Sequence, residues 1–97
     1  MKQTRIRPIS EKRKAELEAY YPLVDKLREL CNNRSELSGK WAVEPHHITG
    51  RNGKRLLDPF NILLVTRVEH DTIWKYSKEE LLARVRKIRI EQGFKED

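Results

Sequence analysis

Cysteine is the scarcest informative residue: with Cys31 alone, the chain can build neither an internal disulfide nor a cysteine-rich zinc site. At 97 residues the sequence fits one domain with a modest core, so apolar packing has to supply what such a staple would give. Long hydrophobic runs are also missing. None approaches the roughly 18 residues of a membrane span, and the mean hydropathy of −0.82 belongs to a strongly polar chain. The opening MKQTRIRPISEKRK contains no apolar stretch of the kind a secretory signal needs. The expected setting is therefore the cytoplasm, without a membrane partner.

Acidic residues are outnumbered, 15 against 21 basic, for a net charge of +6. The excess is uneven. Lys2, Arg5, Arg7, Lys12, Arg13 and Lys14 are opposed only by Glu11 in the first fourteen residues. Arg51, Lys54, Arg55 and Arg67 form a second basic group, opposed by Asp58. Solubility is one use of such charge; a polyphosphate partner is the other, because Lys and Arg release counterions when they neutralise phosphates.

The chain divides into a basic arm at residues 1 to 9 and a single domain at 10 to 97. Ser10 is placed to cap a helix through EKRKAELEAY, and Pro22 predicts a kink or restart before Leu23, Leu27 and Leu30 continue one apolar face. CNNRSELSGK reads as a loop and WAVEPHHIT as a short edge strand around Pro45. GRNGKRLLDPF is a long loop, followed by a strand at Ile62 to Val65. Thr66 and Glu69 form a capping-box signature for a helix expected to carry His70 and, as a core anchor, Trp74. Ser77 and Glu80 repeat it before a last helix at about 78 to 92, whose core face is Leu81, Leu82, Val85, Ile88 and the stem of Arg89. The fold class is α+β.

All three histidines, His46, His47 and His70, fall around the second basic group. Neighbours on a strand point to opposite faces, so His46 and His47 are expected to do different work. One can turn toward His70 to share a metal ion, leaving the other free on the open side. Phosphodiester hydrolysis needs this division, with a base to deprotonate water and a cation to neutralise charge on the phosphate.

The stretch PHHITGRNGKRLLDPFNILLVTRVEHDTIW resembles the HNH nucleases, in particular small phage and prophage members, over about residues 41 to 76. The resemblance implies a ββα-metal core with a long inter-strand loop, here flanked by N-terminal and C-terminal helices. It implies that His46 and His70 are metal ligands, that His47 is the general base, and that Asn61 fixes the loop and orients that base. One divalent ion is implied, Mg²⁺ or Mn²⁺ first and Zn²⁺ or Ni²⁺ as alternatives. DNA is the implied partner, with RNA open, contacted by Arg51, Lys54 and Arg55. For Arg51 the rival role is a bridge to Asp58. Two departures stand out: the paired cysteines that hold a structural zinc in many relatives are absent, and Trp74 stands where others carry a second helix histidine. They keep a second reading alive, a nucleic-acid-binding or interaction module that retains the fold without cleaving.

Overall fold

A computed structural model describes residues 11 to 96. The basic arm and the Ser10 cap lie outside the described residues. The architecture is α+β. Helix α1 (Glu11–Leu30) leads to an antiparallel pair of strands, β1 (Glu44–His47) and β2 (Ile62–Val65). Helices α2 (Arg67–Asp71) and α3 (Lys78–Glu91) follow. Short 3₁₀ turns at Gly53–Leu57 and Ile73–Lys75 interrupt the connections.

Every residue of β2 is buried, as its unbroken apolar sequence ILLV requires. Its two faces feed two separate cores. Ile62 and Leu64 pack with Tyr20, Val24 and Leu27 of α1, together with Val43 and Leu56. Leu63 and Val65 pack with Ile48 and with Leu81 and Val85 of α3. Each such side chain contributes about 1.5–3 kcal/mol when fully buried, and with Cys31 alone no internal disulfide adds to this.

One edge of β2 pairs with β1, in the register Glu44 to Val65, Pro45 to Leu64, His46 to Leu63 and His47 to Ile62. The other edge is buried and, among the described residues, has no strand beside it. Glu36 and Arg89 satisfy it instead. The Glu36 amide donates to the Leu64 carbonyl at 2.8 Å, and the Leu64 amide donates to the Glu36 carboxylate at 2.9 Å. Arg89 donates to the Ile62 carbonyl at 2.7 Å and to the Pro59 carbonyl at 3.0 Å, and pairs bidentately with Glu36 at 2.5 and 2.7 Å. The two side chains are 0% and 2% exposed, so the sequence expectation of a buried Arg89 stem understates it: the guanidinium is buried too.

Three other expectations need correction. The restart expected at Pro22 does not occur: helix α1 continues through it, with Pro22 on the exposed face. Leu30 is exposed; Leu27 is buried and Leu23 packs against the core as expected, and α1 also turns Tyr20 and Val24 inward. Trp74 is not a core anchor. The Thr72 hydroxyl bonds back to the Val68 carbonyl at 3.0 Å and its amide is shared between Val68 and Glu69, which tightens the chain out of α-helix. In the 3₁₀ turn that follows, Ile73 packs inward and Trp74 is 76% exposed. Thr66 and Glu69 make the reciprocal capping box as read, whereas at the second cap only Ser77 takes part, accepting from the Glu80 amide at 3.1 Å.

Replacing Arg89 by Met strands the buried Glu36 carboxylate and two carbonyls. Urea unfolding should show a loss of about 3–5 kcal/mol for Arg89→Met, and Glu36→Gln added to it should recover part of that loss. Equal stability of wild type and Arg89→Met would refute the role given to this pair.

Candidate functional site

The strand register decides where each histidine goes. Glu44 and His46 share the β1 face that looks toward α2, while Pro45 and His47 share the face toward α1. The rings of His46 and His70 meet edge to face with centres 4.9 Å apart. The ring of His47 lies on the other side, against Tyr20. All three histidines, with Tyr20, Glu44 and Arg51, line one cleft of about 460 Å³.

His70 is oriented by a group that sequence reasoning missed. Glu44 meets its Nδ1 at 2.7 Å, and a cationic Arg67 lies 3.7 Å from the same carboxylate. The His70 hydrogen bond, working against burial and helped by Arg67, holds the Glu44 carboxyl below its usual range. An ionised carboxylate only accepts, so Nδ1 of His70 carries the hydrogen and donates it to Glu44. Glu44 was detectable in principle, since it stands two residues before His46 on the same strand face.

His46 and His47 are both held below the ordinary imidazole range. For His46 the cause is burial, reinforced by the other two histidines. For His47 burial again leads; the Leu56 carbonyl opposes it and the Arg51 charge adds to it. Nε2 of His47 lies 3.4 Å from that carbonyl, which can only accept, so Nε2 bears the hydrogen and Nδ1 is the basic nitrogen. Both rings are thus neutral at physiological pH, one suited to ligation and the other to accepting a proton.

Asn61 is 3% exposed and uses its whole amide. Its Oδ1 accepts from the Thr49 amide at 2.9 Å and the Thr49 hydroxyl at 2.7 Å; its Nδ2 donates to the carbonyls of Gly50 at 2.9 Å and Arg55 at 3.0 Å. Gly50, at φ +97°, supplies the turn out of β1 that brings its carbonyl to Asn61. The two ends of the long loop are thereby fastened on either side of His47.

The basic residues separate. Arg51 lines the histidine cleft, lies over the Tyr20 ring, and has no acidic partner among the described residues, Asp58 included. Arg55 is exposed and donates to the Thr49 carbonyl at 3.0 Å. Lys54 lines a different cleft, with Phe60 and Lys95.

Among the described residues no group of three or more His, Cys, Asp or Glu stands ready to hold a metal. The spacing of the His46 and His70 rings is compatible with a shared ion. With metal to nitrogen distances of about 2.0–2.1 Å, two imidazoles on one ion keep their ring centres about 4.5–5.2 Å apart, and His46 and His70 stand 4.9 Å apart. No helix among the described residues is long and apolar enough to cross a membrane. Compared with protein-family models, curated proteins and solved structures, the chain matches none.

Asn61→Ala removes all four hydrogen bonds at once. It should cost about 2–4 kcal/mol in thermal unfolding and speed amide exchange at Thr49 at least about tenfold. Unchanged Thr49 protection would show that the amide does not fasten this loop.

Proposed function

We propose that this chain is a metal-dependent endonuclease of the HNH type that hydrolyses phosphodiester bonds in DNA. The observation that carries the reading is the split of adjacent histidines across β1, His46 beside His70 and His47 apart from them in the same cleft. The order of strand, long loop, strand and helix supports it, as does an Asn61 that spends its whole amide on the loop beside the base.

His46 and His70 would hold one divalent ion, with water and substrate oxygens completing its shell. When bound, the ion neutralises charge on the phosphate and on the departing 3′ oxygen. Nδ1 of His47 takes a proton from water as the water oxygen bonds to phosphorus, and the bond from phosphorus to the 3′ oxygen breaks. That oxygen takes a proton from solvent water on leaving, so the products are a 3′-hydroxyl and a 5′-phosphate. Arg51, which has no acidic partner among the described residues, offers its cation to the phosphate, and the exposed Arg55 extends the positive surface. Lys54, in its separate cleft, contacts duplex outside the reacting group.

Plasmid DNA should be cut in the presence of Mg²⁺, Mn²⁺, Ni²⁺ or Zn²⁺, and EDTA should stop it. His47→Ala should slow cleavage about 10²–10⁴-fold while leaving DNA affinity in EDTA unchanged. Cleavage at the wild-type rate by His47→Ala would refute the assignment. Salt-sensitive DNA binding with no cutting in any of the four metals would instead favour the non-cleaving module, a reading that the two-histidine site keeps in view.

Glu44 makes a separate expectation. Glu44→Gln should weaken metal affinity about 10–100-fold by calorimetry, because the orienting acceptor of His70 loses its charge. Unaltered affinity would mean that Glu44 does not set the His70 ring.

A further inference from the structure

Within the nuclease reading, one part of the cleft comes from outside the stretch that resembles a nuclease. Tyr20 belongs to α1, twenty-one residues before that stretch begins at Trp41. It is 6% exposed and anchored in the core with Val24 and Leu27. Its ring centre lies 5.6 Å from that of His47, with the planes 32° apart. The Arg51 guanidinium carbon lies 5.6 Å from the same ring centre.

We propose that Tyr20 is a positioning residue that holds the His47 imidazole and the Arg51 guanidinium in one stack, so that base and phosphate-binding cation keep a fixed spacing. His47 needs such a wall. Its only polar tether among the described residues is the 3.4 Å contact with the Leu56 carbonyl, at the long limit for a hydrogen bond. A catalytic base works only if it is held within about 0.5 Å and 10–20° of the productive geometry. Arg51 needs it as well, because it sits on an exposed loop with no acidic partner among the described residues, and an aromatic face within about 6 Å is what restrains it. The stack ties both to the buried face of α1. On this account the first helix completes the active site as well as the core.

The test uses the full chain with Tyr20→Leu and Tyr20→Phe. Two readouts are cleavage of a defined DNA duplex under single-turnover conditions with Mn²⁺, and affinity for that duplex in EDTA. The third is NMR of the metal-free protein. Tyr20→Leu should lower the single-turnover rate constant about 10–100-fold and weaken binding about 2–5-fold as Arg51 loses its platform. Tyr20→Phe, which keeps the ring, should restore both. In the wild type and in Tyr20→Phe, His47 ring protons should show nuclear Overhauser contacts to residue 20 and upfield ring-current shifts.

Wild-type rates in Tyr20→Leu would overturn the proposal, and so would a Tyr20→Phe variant as impaired as Tyr20→Leu. Should Tyr20→Leu lose its cooperative thermal transition, the wild-type contacts decide: their absence overturns the stack, and their presence with normal cutting by Tyr20→Phe supports it. Should wild type cut with none of the four metals, the nuclease reading fails, while the NMR contacts still decide whether Tyr20 holds the His47 ring.

Discussion

The structure depends on how a strand with no neighbour on one side is kept in the middle of a protein. In β2 every side chain is buried, and a buried strand edge with unpaired amides and carbonyls would cost more than the packing returns. Glu36 and Arg89 remove that cost by standing in for a third strand. Glu36 presents both an amide and a carboxylate to Leu64, and Arg89 reaches Ile62 and Pro59 while neutralising Glu36. With that edge closed, β2 can carry two cores back to back, one against α1 and one against α3.

The functional cleft inherits this arrangement. Strand β1 is held in register by β2, so its alternating side chains are delivered to the two sides: His46 and Glu44 toward α2, His47 toward α1. The capping box of Thr66 and Glu69 starts α2 one residue after β2, which brings His70 to His46. Glu69 is itself bonded to Ser35, so the loop that supplies Glu36 and the helix that supplies His70 are fastened together.

What could be read in the sequence was local. Strand alternation separates His46 from His47, ILLV announces a buried strand, and T-x-x-E fixes the start of α2; each follows from residues within four positions of one another. What could not be read was set by contacts distant in the chain. Nothing near Arg89 reveals that its guanidinium meets Glu36, 53 residues away. Tyr20 looks like any other apolar position of a helix until the fold sets it against His47. Trp74 fails for a different reason: the helical spacing from His70 is right, but Thr72 draws the backbone into a tighter turn and Ile73 takes the inward place. Glu44 is the intermediate case, sharing a strand face with His46 but needing α2 to bring it a partner.

The same burial that stabilises the domain also sets the chemistry of the cleft. An imidazole that is to ligate or to accept a proton must be neutral, and partial burial keeps His46 and His47 in that form. Arg51 pushes His47 further the same way, which keeps the ring unprotonated but makes it a weaker base. The Leu56 carbonyl works against this shift, and by accepting from Nε2 it also fixes which nitrogen is basic. His47 is therefore balanced between a cation that would make it too poor a base and a carbonyl that restores part of its basicity. Both reach it from the long loop that Asn61 fastens, so Asn61 controls the geometry on which that balance rests.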